Sequence, residues 1–510
     1  MHLGLDSSTQ SLKGIIIDPA NGTIVHQTSV NFAADLPDYP AAFSPSGDPL
    51  EKHADPRLWL AALDLLFTRM VESGAPLSQI KGIGGSGQQH GSVYLTGAAD
   101  SVLANLDPGQ SLVDQIAPVL SRATAPIWMD SSTGSQCAEI GAAVGARLQT
   151  DTGSPAIERF TGAQIRKFYQ QDPNAYAATA RIHLVSSFMA SVLTGSHAPI
   201  DHGDGAGMNL LNLHTLQWDP EICAATAPGL LEKLPATASA RSVAGTLSPY
   251  FVTKYGFTPE TRVAVWTGDN PASLVGTGAI RPGLAVISLG TSDTFFAVLD
   301  PYRTDPDGCG HVFGNPAGGF MCLACFKNGS LARERIRDLT GVDWKFFDAT
   351  AFEETQSGNG GRLALPWFEA EITPPVLVPG LRANFDFDAA PPAVRIRAVI
   401  EAQILSMRTH SRWIGDFDTI RVTGGASRSA GILQTLANVF QARVETIAVQ
   451  DSAALGAAMI AAHAVSGHTF ESLAAAFAPA VHTTAPDPST AQAYAAALEA
   501  FLTLETEARN

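Results

Sequence analysis

Apolar residues in this chain gather into short runs that break on small polar turns. The clearest unit is residues 284–299, LAVISLGTSDTFFAVL, in which two apolar runs flank Gly290, Thr291, Ser292 and Asp293. Runs of this length bounded by turn residues predict strands, so the stretch predicts a hairpin. The chain opens with the same grammar: LGL at 3–5, DSSTQ at 6–10, LKGIIID at 12–18. Glycine followed by hydroxyl residues lets a tight turn offer backbone N–H groups and hydroxyls to an anion. One such unit at the start and one past the middle predict two related lobes, each with a phosphate-facing turn.

Between them the pattern predicts alternating helices and strands. Helical spacing covers 57–72 after Asp55 and Pro56, then 134–148, 175–193, 250–256, 394–413, 433–439, 451–464 and 489–509. Short apolar strands are expected at 80–84, 262–267, 418–423 and 444–449. Residues 25–57 are polar and rich in Pro, Gly and Asp, and are expected as a long irregular insertion. Residues 230–243 lose periodicity, which places a boundary near 245 and two α/β domains at 1–245 and 246–510.

Composition agrees with two buried cores. The 510 residues are 45% hydrophobic and 16% charged. A net charge of −16 argues against a nucleic-acid or anionic-membrane partner. The start shows no basic-then-apolar leader, and no apolar run reaches membrane-spanning length. Five cysteines in so large a chain fit a reducing compartment, so a cytoplasmic location is expected. Cys322 and Cys325 have metal-like spacing with Cys309 and His311 upstream, but a single pair inside an apolar run reads better as strand or helix than as zinc.

Candidate chemistry lies where strands end. Asp6 beside hydroxyls suits a hydrated Mg2+; Lys13, on the return strand, faces either phosphate or solvent. The loop GSGQQHG at 85–91 sets Gln88, Gln89 and His90 among glycines, which suits a polyhydroxy ligand or a tight turn. Asp130 ends a short apolar strand. Arg159 precedes a helix and is either a ligand contact or an exposed flanking charge. Residues 200–209 form a glycine-rich polar loop. Asp269 and Asn270 follow the strand RVAVWT, so Asp269 either caps the next helix or accepts a proton. Trp344 is a stacking surface or core. Strand, GGAS at 424–427, then helix offers close backbone approach to a nucleotide. Neither GxxxxGK[ST] nor GxGxxG with its distant acid occurs, which disfavours P-loop and Rossmann sites.

Assembled, these segments resemble the FGGY family of carbohydrate kinases. The motifs that carry the resemblance are LGLDSSTQSLK (3–13), GSGQQHGSVYL (85–95), PIWMDSSTGSQC (126–137), ERFTG (158–162), PIDHGDGAGMNLL (199–211), TGDNPASLVG (267–276), SLGTSDT (288–294), CFKNGSL (325–331), EITP (371–374) and TGGAS (423–427). The resemblance implies two actin-like, RNase H-like lobes with a ligand cleft between them, a sugar held mainly by the first and ATP mainly by the second. It implies that Asp6 helps hold Mg2+ through water and that Ser8, Thr9 and Gln10 lie near the phosphates. Gln89, His90, Arg159 and Asn270 would contact the sugar, with Asp269 as general base. Gly290, Thr291 and Ser292 would cradle phosphate. Gly424, Gly425 and Arg428 would line the nucleotide pocket, with Trp344 near adenine. Within the family it favours a linear ketopentose; another sugar or polyol, or a non-catalytic nucleotide-binding protein, are the alternatives. Ser8 stands where the commoner bacterial form has glycine.

Overall fold

The structure is a computed structural model that describes residues 1–509. It divides into two compact units. The first comprises Met1–Ile280, Val312–Phe320 and Gln450–Ala478; the second comprises Arg281–His311, Met321–Val449 and the chain from Pro479 on. The expected boundary at 245 therefore falls inside the first unit. It lies within the strand Val243–Thr246, which pairs with Arg262–Ala264 in the first sheet. Asp269, assigned from sequence to the second domain, belongs to the first unit.

The first sheet runs Val243–Thr246, Arg262–Ala264, Gly82–Gly87, His2–Ser7, Ser11–Asp18, Thr23–Asn31, with Thr267–Gly268 also paired to Gly82–Gly87. His2–Ser7, Gly82–Gly87, Arg262–Ala264 and Thr267–Gly268 are parallel, so their carboxyl ends share one edge. Ligand loops of open α/β sheets lie at that edge. Register then decides the site: Asp6 sits opposite both Lys13 and Ser86, while Gly268 sits opposite Gly87. Asp6, Gln88, Gln89 and Asp269 thus emerge together.

Glycines set how closely helices approach this sheet. A Cβ on Gly4 would stand 2.0 Å from the Ala454 carbonyl oxygen, and one on Gly84 2.1 Å from that of Ala457. The helix Ser452–Ser466 lies against them with Ala453 through Ala462 buried. The helix Arg57–Glu72, expected with those bounds, buries Leu58, Leu63, Leu66 and Met70 in the same unit's core. Its start is held by the Arg57 backbone N–H, which donates to Asp55 Oδ1 at 2.9 Å.

Two expectations fail locally. Residues 25–57 are not wholly irregular, because Thr23–Asn31 forms an edge strand with alternating exposure. The helix expected at 175–193 is helix Pro173–Ala178, strand Arg181–Leu184, then helix Val185–Thr194. Arg181–Leu184 pairs antiparallel with Ser92–Leu95, and that distant partner outcompetes local helical spacing.

In the second unit strands run Phe320–Phe326, Asp293–Leu299, Leu284–Leu289, Thr419–Gly424, Arg443–Ile447, Ala480–Thr484. The hairpin expected at 284–299 forms, with Leu289 opposite Asp293. Leu284–Leu289 also pairs in parallel with Thr419–Gly424, which sets Leu289 opposite Gly424. Cys322 and Cys325 share the strand Phe320–Phe326, where a spacing of three sends side chains to opposite faces. Burial pushes the Cys322 thiol up to about 12. Among the described residues no helix is long and apolar enough to cross a membrane.

Candidate active site

In the first unit the central group is Asp269. It opens the helix Asp269–Gly276 directly after Gly268, the N-cap, which has no side chain to cap with. Asp269 Oδ1 accepts from the first-turn backbone N–H of Asn270 at 2.8 Å and from Asn270 Nδ2 at 3.0 Å. Part of the residue's surface stays open, yet the protein packed around it desolvates the carboxylate. Burial, followed by the charge of Asp6, pushes it up to about 7, against the pull of the Asn270 and Gln89 backbone N–H groups. A carboxylate so shifted is poised to exchange a proton near neutral pH.

Asp6 is also raised, to about 6, by burial first; the Ser86 hydroxyl and Lys13 oppose the shift and Asp451 adds to it. Ser86 Oγ donates to Asp6 Oδ1 at 2.8 Å. Lys13 is neither free nor on Asp6: its Nζ bonds Asp451 Oδ1 at 2.6 Å. Among the described residues no three His, Cys, Asp or Glu side chains cluster as a metal site. A single carboxylate with one oxygen already hydrogen-bonded is the donor set of an ion that keeps its waters and binds substrate phosphates, so Asp6 fits Mg2+.

Gln89 and Asn270 orient one another. Asn270 Nδ2 donates to Gln89 Oε1 at 2.9 Å as well as to Asp269. This turns Asn270 Oδ1 outward as an acceptor and leaves Gln89 Nε2 as a donor. Gln89 Nε2, Gln88 Oε1 and Ser7 Oγ are all buried without a hydrogen-bond partner. Buried polar atoms rarely stay unpaired, and a polyhydroxy ligand supplies both senses of bond. Gly268 is required here, because a Cβ would stand 2.6 Å from Gln89 Cγ.

His90 is held in the left-handed region at φ 70°. Its Nδ1 lies 2.9 Å from the Gly207 carbonyl oxygen, which can only accept, so Nδ1 carries the proton and Nε2 presents a lone pair. Phe160 stacks on the ring at 4.3 Å, and Thr161 Oγ1 donates to the His90 carbonyl at 3.0 Å. Burial, then the charge of Arg159, takes the imidazole down to about 3. His90 is therefore neutral at working pH, with Nε2 able to accept a hydrogen bond. The half-buried Arg159 guanidinium lies 5.5 Å from the Phe160 centroid, which places it beside this group.

The residue that fixes His90, Gly207, lies in the stretch expected as a glycine-rich loop, which is in fact strand Ile200–Asp201 and helix His202–Ala206. That helix also buries Asp204, whose carboxylate accepts from the Ser186 hydroxyl. Asp130 is excluded as a base. Burial alone would raise it, but with the His53 ring 3.5 Å away and hydrogen bonds from Ser132, Gln164 and the Lys52 backbone N–H it is held well below the usual carboxylate range. In the first turn, Ser8 Oγ is used to close the turn on the Ser11 carbonyl at 3.2 Å. Thr9 Oγ1 accepts from the indole N–H of the exposed Trp128 at 2.8 Å, a partner that sequence spacing gave no sign of. Gln10 is exposed beside them.

In the second unit the two glycine turns expected to meet nucleotide lie side by side. Gly424 has φ 90°, and a Cβ there would stand 2.3 Å from the Leu289 carbonyl oxygen, so only glycine fits next to residues 290–292. At Gly425 an added Cβ meets nothing within 4 Å, so open space faces this backbone. Arg428, at the end of the turn Gly425–Arg428, is exposed. Ser429 Oγ bonds the Asp348 carbonyl at 3.1 Å, tying this turn to the Phe346–Thr350 segment next to Trp344. Trp344 is 42% exposed and so is not core; Arg337 lies 4.5 Å over its ring.

Each unit thus has an α/β sheet whose strand ends gather polar turns, and the first adds a desolvated carboxylate beside buried, unpaired polar groups. Residues 103–276 match the N-terminal domain of the FGGY family of carbohydrate kinases, and residues 285–465 its C-terminal domain. The chain belongs to that family. It is 41% identical to the xylulose kinase of Rattus norvegicus over 99% of this chain and 96% of that protein. It is 40% identical to xylulose kinase 2 of Arabidopsis thaliana over 91% of this chain and 87% of that protein. The crystal structure of xylulose kinase from Rhodospirillum rubrum superposes with a TM-score of 0.84 at 19% identity, covering 99% and 98% of the two chains.

Proposed function

We propose that this sugar kinase transfers the γ-phosphoryl group of ATP to O5 of D-xylulose, giving D-xylulose 5-phosphate and ADP. The observation that carries the chemistry is Asp269, desolvated to a pKa of about 7 and flanked by Asn270 and Gln89. The choice of sugar is supported by the curated relatives, which are named xylulose kinases. In this reading O5 bonds to the γ-phosphorus as the bond to the ADP oxygen breaks, and the O5 proton passes to the Asp269 carboxylate. Asn270 Oδ1, Gln89 Nε2 and His90 Nε2 hold the other hydroxyls, with Arg159 beside them. Asp6 would help hold a hydrated Mg2+, which would supply charge neutralisation on the phosphates. Thr291 and Ser292 direct backbone N–H groups at the phosphate beside Gly290, and Gly424, Gly425, Arg428 and Trp344 receive the nucleotide.

The test is ADP release over a panel of ketoses and polyols. D-xylulose is expected to give the highest kcat/KM. Ribulose or glycerol exceeding it tenfold, a margin of about 1.4 kcal/mol in differential transition-state binding, would assign a different sugar to the same machinery.

A further inference from the structure

The residue after the second phosphate turn is Asp293, the first of the strand Asp293–Leu299. A carboxylate there is unusual, because the side chain points into the second unit and is about 1% exposed. It is met by Arg333, from the helix Ser330–Thr340, in a two-pronged ion pair: Nη1 to Oδ2 at 2.7 Å and Nη2 to Oδ1 at 2.8 Å. The Gly290 backbone N–H, from the turn itself, is a further favourable partner of this carboxylate.

The pair continues into a buried network. Arg333 Nη1 also reaches Gln403 Oε1 at 3.3 Å, and Gln403 Nε2 donates to the Asn328 carbonyl at 2.7 Å. Asn328 Nδ2 and the Lys327 backbone N–H both donate to Glu371, at 2.8 and 2.5 Å. These bonds fix the segment 327–330 against the back of the phosphate turn. Ser330 N–H donates to the Gly290 carbonyl at 2.8 Å, and a Cβ on Gly329 would stand 2.7 Å from the Thr291 carbonyl oxygen. A cavity of about 20 Å3, room for a single water, lies beside Asp293, Asn328 and Gln403.

A buried ion pair is a poor device for stability alone, since apolar side chains of similar volume do as well or better. What it provides is a fixed geometry, and here the part fixed is a turn whose N–H groups need to be aimed before phosphate arrives. We propose that Asp293 and Arg333 are positioning residues for phosphoryl transfer, holding the backbone of residues 290–292 in the orientation that receives phosphate. This rests on the reading of that turn as the phosphate cradle. Neither residue touches substrate.

The decisive variant is Asp293→Leu with Arg333→Met, which removes both charges together. A merely structural pair predicts recovery of both melting temperature and activity. Positioning predicts a melting temperature near that of the parent, unchanged sugar affinity by calorimetry, and kcat/KM for ATP still lowered about tenfold or more, given that one misplaced oxyanion donor costs about 10²–10³ in rate. Arg333→Lys keeps the charge but loses the fork, and carries the test if the double variant fails to fold; the same loss for ATP is expected. Parent-like ATP kinetics in a folded double variant, or in Arg333→Lys, overturns the proposal. Thr291→Ala with Ser292→Ala separates it from the reading beneath it. If that variant impairs ATP use while the ion-pair variants do not, the turn binds phosphate and the clamp falls. If neither affects ATP use, the clamp falls and the hydroxyls of the turn carry no phosphate contact. Impairment by the ion-pair variants supports the clamp whether or not the hydroxyls matter, because the turn acts through its backbone.

Discussion

Asp269 and Asp6 are two carboxylates held out of water at the same sheet end, and each is raised by burial. The sign of the consequence is definite. Between the ordinary carboxylate value and about 7 the unfolded chain has released its Asp269 proton and the folded chain has not, so this residue lowers stability as pH rises through that window. A helix cap would do the reverse. Asp269→Asn is accordingly expected to melt at or above the parent's temperature at pH 8 while kcat falls by about 10²–10⁴, the range for a lost base. In the parent, kcat/KM for sugar is expected to fall below about pH 7 as the carboxylate takes up a proton, and the variant's residual rate should lack that limb. A kcat within about threefold of the parent would send the search for the base elsewhere. Asp269 was legible in the sequence because it follows a strand and precedes Asn270 and Pro271. Its elevated pKa was not, since that comes first from burial by the protein packed around it and then from Asp6, which is remote in sequence. The tautomer of His90 was equally hidden, being set by a carbonyl 117 residues away.

At the scale of elements, glycines do two different jobs that look alike in sequence. Gly4, Gly84, Gly276 and Gly456 let elements touch; a Cβ on Gly456 would lie 1.9 Å from the Ala272 carbonyl oxygen of the facing helix. Gly425 borders empty space. The two classes should separate cleanly. Gly456→Ala is expected to cost about 1–3 kcal/mol or more from overpacking, read as a lower melting temperature, with ATP affinity kept in the fraction that folds. Gly425→Val is expected to leave melting nearly unchanged and to raise KM for ATP several-fold, because its side chain occupies the space the nucleotide approaches. An unaltered KM in the latter would make the turn structural. Elements with strong apolar periodicity were read closely, such as Arg57–Glu72 and the hairpin at 284–299. The edge strand Thr23–Asn31 was missed because its inward face carries His26 and Thr28 beside the buried Val30, which leaves little apolar signal. Arg181–Leu184 was missed because its pairing partner, Ser92–Leu95, lies far upstream.

For the whole molecule, the instructive failure is the boundary at 245. Loss of periodicity marks a loop, but a unit is defined by which segments share a core, and here the first unit takes chain from three places. Its last contribution, Ser452–Ser466, follows most of the second unit in sequence yet covers Gly4 and Gly84 in the centre of the first sheet. Local spacing showed a tightly packing small-residue helix without showing what it packs on. The cost of omitting that helix can be bounded. Burying Leu455, Met459 and Ile460 contributes about 1.5–3 kcal/mol each, before counting the buried alanines. That sum is of the same order as the entire stability of a typical domain, about 5–15 kcal/mol. A fragment of residues 1–280, although it contains Asp6, Gln89, His90, Arg159, Asp269 and Asn270, is therefore expected to lack a cooperative melting transition and to bind no sugar in calorimetry. Appending residues 450–478 through a flexible linker is expected to restore both. If the fragment 1–280 melts cooperatively within about 5 °C of the full chain, a shift worth about 1–2 kcal/mol for a unit of this size, the helix is an accessory, and the first unit is a contiguous domain after all.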